Sequence, residues 1–105
     1  MASGGNLKAA WLFHIEGVDY FDESTVVLFG KLKKGAMKVG DSILVPTKAG
    51  TVFETEIIMI MPVGKKVERI TTARASRQLL AVYVNGHGAR VDWIAHAVAE
   101  SWHVV

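Results

Sequence analysis

The stretch Thr25-Val26-Val27-Leu28-Phe29-Gly30-Lys31-Leu32-Lys33-Lys34-Gly35-Ala36-Met37-Lys38-Val39-Gly40-Asp41 decides the fold. Gly30, Gly35 and Gly40 recur at five-residue spacing, each close to an apolar strand residue. Glycine permits bends and close backbone approach, so this punctuation fits a strand that turns sharply, crosses and re-enters a closed barrel. Thr25 to Leu32 reads as one strand with Val27 and Phe29 on one face. Lys33-Lys34-Gly35 reads as a turn whose glycine accepts positive φ, and Gly40-Asp41 as a second bend.

Turn signals and β-rich segments continue in both directions, the pattern of an all-β barrel or sandwich. Upstream, Trp11, Phe13 and Ile15 alternate with Leu12 and His14, predicting a strand with an aromatic face, and Asp19-Tyr20-Phe21-Asp22-Glu23 reads as an acidic loop. Downstream come a short strand from Ser42 to Pro46, a Lys48-Ala49-Gly50 turn and the longest expected strand, Thr51 to Met61. The end of that strand, Ile57-Ile58-Met59-Ile60-Met61, is apolar throughout, which implies burial on both sides, in the barrel or against a partner. Pro62-Val63-Gly64 ends it, Lys65 to Thr71 begins a short strand or loop, and Leu79 to Val84 is a further strand before the Asn85-Gly86 turn signal. Val91, Ile94, Ala95, Val98 and Trp102 recur at helical spacing, and Asp92 suits a helix start, so a helix is expected from about Asp92 to Glu100, with His103-Val104-Val105 returning as strand. The expected fold is mainly all-β: a small closed antiparallel β-barrel of six or seven strands with a short C-terminal helix near 92–100. One domain covers 7–105 after a disordered tail over 1–6.

With 105 residues the chain has room for one core, and with half of them hydrophobic and 21% charged it has the composition to fold. The absence of cysteine excludes disulfides, a thiolate zinc site and a cysteine nucleophile, and fits a reducing, cytoplasmic setting. Nothing at the start reads as a secretory signal, and the apolar runs are too short for a bilayer, which needs about 20 helical residues. The net charge of +2 is unevenly spread: one lysine faces four acids up to Gly30, eleven basic residues face four acids from Lys31 to Arg90, and two acids follow. Such a basic block attracts phosphate backbones, although lysines also keep strand edges solvated and unpaired.

The glycine-punctuated stretch resembles the second-domain β-barrel of translational GTPases, the elongation-factor-Tu-like domain. Gly30, Gly35, Gly40 and Asp41 match that pattern in register, as do Val27 and Leu32 at its apolar positions, while Thr25 replaces its first glycine. Ile57-Ile58-Met59-Ile60 resembles the family's next strand. The segment from Ala73 to Gly86 resembles its alanine-glycine turn and closing strand, with Ser76 standing near the usual glycine. The likeness covers about two-thirds of the chain. It implies a barrel that contacts ribosomal RNA, aminoacyl-tRNA or neighbouring domains and does no chemistry itself. The G-x-x-x-x-G-K-S/T phosphate loop of the nucleotide-hydrolysing half is absent from this sequence.

Candidates for chemistry are sparse. His14, His87, His96 and His103 show no H-x-x-x-H or H-E-x-x-H spacing, so no metal and no cofactor is expected. Ser24, Ser42, Ser76 and Ser101 lack a nucleophile-elbow context, and Glu54 and Glu56 read as two acids on a solvated strand face. The chain reads as a non-enzyme. For binding, Lys31, Lys33, Lys34 and Lys38 gather around one hairpin, and Lys65, Lys66, Arg69, Arg74 and Arg77 follow the next long strand. Together on one face they would track the backbone of RNA, free or in the ribosome. Phe53 and Tyr83 are the stacking candidates, whereas Trp11, Phe13 and Phe29 read as core.

The alternative is a protein-interaction module or homodimer without nucleic-acid binding. A mean hydropathy of +0.28, three tryptophans and the apolar segment from Ile94 to Trp102 suggest more apolar surface than one core hides. Trp93, Ile94, Val98 and Trp102 are the expected interface residues, with a two-fold pair as the default. The same segment serves equally as a lid on its own barrel.

Overall fold

The structure, a computed structural model, describes residues 7–62, 64–71, 78–87, 94–95 and 98–104. Seven strands follow one another: β1 (Leu7–Asp22), β2 (Thr25–Lys38), β3 (Ser42–Pro46), β4 (Val52–Met61), β5 (Arg69–Thr71), β6 (Leu80–Asn85) and β7 (Val98–Val104). Their order is β1-β7-β3-β4-β6-β2-β5, and β1 pairs back onto β2. Six strands therefore close a ring, and β5 adds to the end of β2 that runs beyond it. Every pairing is antiparallel.

Alternation builds the core as the sequence predicts. Trp11, Phe13 and Ile15 from β1 meet Val26, Leu28, Leu32 and Met37 from β2, with Ile43, Val45, Ile57, Ile60, Leu80, Val82 and Val84 from the other strands. Each such side chain contributes on the order of 1.5–3 kcal/mol through removal from water. The indole Nε1 of fully buried Trp11 donates to Asp41 Oδ2 at 3.0 Å, and the same oxygen accepts the Lys38 N–H at 3.0 Å. Asp41 thus ties the turn after β2 to the aromatic face of β1.

Several expectations need correction. Lys33-Lys34-Gly35 is no turn, because β2 runs through it to Lys38. Its glycines serve the crossing of β1 and β2. A Cβ at Gly30 would sit on the carbonyl oxygen of His14, and one at Gly35, whose φ is +84°, on that of Ala10. The ladder slips by one residue between Leu12 and Phe13, where Lys33 is the extra residue. The acidic segment is likewise mostly strand: β1 reaches Asp22, and the turn is confined to Glu23 and Ser24.

β4 is shorter than β1 and β2, and its apolar end is not buried on both sides. Ile57 and Ile60 enter the core, while Ile58 sits at a bulge with 47% of its surface exposed. Phe29 faces outward, half-buried. Asn85 remains in β6 opposite Thr25, and positive φ appears at His87 instead (47°). Among the described residues there is no helix. Ile94 forms a β-bridge to Thr47, and Val98, Ala99 and Glu100 are strand, pairing with His14, Phe13 and Leu12. Closure overrides helical spacing here, since without β7 the edges of β1 and β3 stay unpaired. Residues 92, 93, 96 and 97 of the expected helix and the tail over 1–6 lie outside the described residues.

Candidate nucleic-acid interface

Basic side chains concentrate where β2 leaves the ring and takes β5 as its partner. Lys38 and Arg69 are direct partners across the antiparallel β2–β5 ladder, and both are exposed. Cβ atoms of such partners stand about 4.5–5.5 Å apart, and like charges placed there repel. Lys38 is followed by a tightly bonded turn. Val39 N–H donates to Glu68 O at 2.9 Å, Gly40 N–H to Ile57 O at 2.8 Å, and Asp41 N–H to Lys38 O at 3.1 Å. The Asp41 carboxylate points inward to the Trp11 indole, so the acid nearest to Lys38 in sequence supports its backbone.

The other expected basic residues divide around this pair. Lys33 and Lys34 are exposed on the same strand, five and four residues before Lys38. Lys65 and Lys66 are exposed in the connection that leads into β5, where Lys65 N–H donates to Pro62 O and Val67 N–H to Ile60 O. Lys31 lies apart, opposite His14 on the β1 ladder, with its Nζ 4.0 Å from Glu16 Oε2. An ion pair this long and this exposed contributes little. Arg74 and Arg77 lie outside the described residues. Glu68 is the exposed acid within the group.

The stacking candidates sit elsewhere. Phe53 meets His87 edge-on, with ring centroids 6.3 Å apart, and Tyr83 meets Phe21 at 5.2 Å. Tyr83 belongs to β6, which contributes no charged side chain. The interface candidates separate too. Ile94 is part of the core and Val98 is exposed on β7, while Trp93 and the side chain of Trp102 lie outside the described residues.

No chemical centre emerges among the described residues. No three His, Cys, Asp or Glu side chains gather into a metal-binding group. His14 is exposed on β1, and Glu54 and Glu56 are exposed on β4, Glu54 accepting the Ser42 hydroxyl at 3.0 Å. No described helix is long and apolar enough to cross a membrane.

No protein-family model matches the sequence, and no curated protein matches it. Solved structures do match the fold. Translation elongation factor SelB from Methanococcus maripaludis, in its apo form, superposes with a TM-score of 0.69 at 15% identity over 92% of this chain. The chain has an elongation-factor-Tu domain-2-like β-barrel. It spans 20% of the SelB chain it resembles. The barrel so identified puts its glycine-punctuated strand at the β1–β2 crossing and its matching aspartate, Asp41, under the basic turn.

Two features escaped the sequence reading. One is the role of Asp41, which no periodicity carries because its partner is thirty residues away. The other is that Phe29, read as core, lies on the outer side of β2 beside the apolar end of β4. The unbroken apolar end of β4 was its available signal.

Proposed function

We propose that this chain is a non-catalytic, translation-factor-like module that binds the phosphate backbone of RNA, within the ribosome or outside it, through the basic end of the barrel. The observation that carries the reading is the Lys38–Arg69 pair, two like charges held opposite each other beside a fixed turn. An anionic phosphate placed between them converts mutual repulsion into two attractions. Lys33, Lys34, Lys65 and Lys66 extend the positive field on either side along the chain. The stacking candidates Tyr83 and Phe53 are engaged with Phe21 and His87, and Trp11 beneath the turn is fully buried, which favours backbone contact over base stacking. A cytoplasmic place of action belongs to the same proposal.

The test is the affinity of the purified chain for a short RNA duplex, measured by fluorescence anisotropy between about 50 and 200 mM salt. The expected outcome is binding that weakens steeply with salt. In the variant combining Lys38→Glu with Arg69→Glu, affinity falls at least about tenfold and the log–log salt slope flattens by about two. Salt-indifferent binding, or an unaltered slope in the variant, contradicts the proposal.

A further inference from the structure

The outside of an antiparallel barrel ordinarily carries polar side chains wherever it meets water. Four neighbouring strands of this barrel depart from that rule. Ladder partners define rows that cross β1, β2, β6 and β4 in turn. One row is Asp19, Val27, Tyr83 and Met59, and the next is Gly17, Phe29, Ala81 and Met61. On β2 the side chains between these rows, Val26 and Leu28, belong to the core, so Val27 and Phe29 lie on the outer side of the sheet, Val27 covered there to 4% exposure and Phe29 half-buried. Phe21, 63% exposed, lies edge-on against Tyr83. Ile58 and Leu79 add two further exposed apolar side chains.

The charges around this face have one sign at one end. Asp19 closes the first row, Asp22 stands opposite Thr25 in the row beyond it, and Glu23 follows in the turn. Ser24 donates both its N–H and its hydroxyl to Asp22, which holds that carboxylate below the usual range and hence ionised. At the other end Lys31 is the single cation on the next outward position of β2, and it already stands against Glu16.

From inter-strand and row spacings the face measures about 19 by 15 Å, on the order of 300 Å². That is well under the roughly 800 Å² per partner of a standard protein interface, and it suits one strand or helix of another protein. The carboxylate end repels a phosphate backbone. In a two-fold pairing of this face with itself, a second copy presents only Lys31 to three carboxylates. We infer that the outer face of β1, β2, β6 and β4 docks an apolar segment of a different protein, one that carries lysine or arginine toward the Asp19–Glu23 end. The cation would meet carboxylates together with the face of Phe21.

Two synthetic peptides with the same Leu/Ile/Phe centre, one flanked by lysine and one by glutamate, test this by amide chemical-shift titration of the full chain. The lysine-flanked peptide is expected to bind at least about tenfold more tightly at low salt and to shift Val27, Phe29, Tyr83 and Met59. Met59→Lys abolishes the binding. Asp19→Lys combined with Glu23→Lys alters only exposed side chains and reverses the preference between the peptides. Equal binding of both peptides, shifts that map elsewhere, an unreversed preference, or a dimer of the free chain that broadens these same amides overturns the inference.

Discussion

The two halves of β2 present opposite surfaces on one continuous strand. From Thr25 to Phe29 its outward side chains join an uncharged sheet face rimmed by Asp19 and Asp22, whereas from Lys33 to Lys38 they are cationic and end opposite Arg69. The crossing at Gly30 and Gly35 separates the halves. A small barrel with one core still has an entire outer surface to divide, and a strand that outruns its ring carries two unlike surfaces at its two ends.

The largest expected effect breaks both halves together. Gly30→Ala puts a Cβ onto the His14 carbonyl oxygen, where backbone must move. Overpacking of that kind costs about 3 kcal/mol, read as a fall in the urea midpoint; a midpoint equal to the parent's removes the crossing from the account.

Asp41→Ala strikes the basic half alone. It leaves the buried Trp11 N–H and the Lys38 N–H without their acceptor, at a cost of about 2 kcal/mol. Hydrogen exchange sharpens the comparison: amides of Lys38 and Val39 lose protection in this variant, and those of Val27 and Tyr83 keep theirs.

A smaller effect runs in the opposite direction. Lys38→Glu turns the repelling pair with Arg69 into an attracting one, so stability rises by about 0.5 kcal/mol while RNA affinity falls. A gain in stability accompanied by a loss of binding is the mark of a residue placed for a ligand. Loss of both would make Lys38 structural.

The smallest effect belongs to the acidic tip. The backbone N–H of Ser24, ahead of its hydroxyl, holds the Asp22 carboxyl below its usual value. Because folding lowers this pKa, the stabilising contribution is present above the unfolded value and fades as pH falls through the folded one. A carboxyl carbon titration is expected to place Asp22 below the ordinary aspartate value, and Asp22→Asn to flatten the acid limb of the stability profile slightly. An Asp22 midpoint at the ordinary value contradicts the Ser24 contacts.

Much of this fold is legible in the chain. Residues Trp11, Phe13 and Ile15 announce β1 by period two, and the bounds of β3 and the Lys48–Gly50 turn follow from local chemistry. The glycines of the 25–41 stretch identify the barrel, yet Gly35 reads locally as a turn former when its purpose is the close approach of β2 to β1. The segment after Val91 has helical spacing and nevertheless contributes Val98–Val104 as strand, because ring closure is a non-local demand. For the candidate site, the cationic clusters are visible as composition. The opposition of Lys38 to Arg69 and the isolation of Lys31 depend on ladder register, which no single segment encodes.

The division of β2 into two surfaces is tested most directly by titrating the labelled full chain with a short RNA duplex at low salt and following its amides. The account predicts shifts at Lys38, Val39 and Arg69 that vanish as salt rises, with Val27, Tyr83 and Met59 unmoved. Shifts centred on Val27, Tyr83 and Met59, or none at Lys38 and Arg69, contradict it.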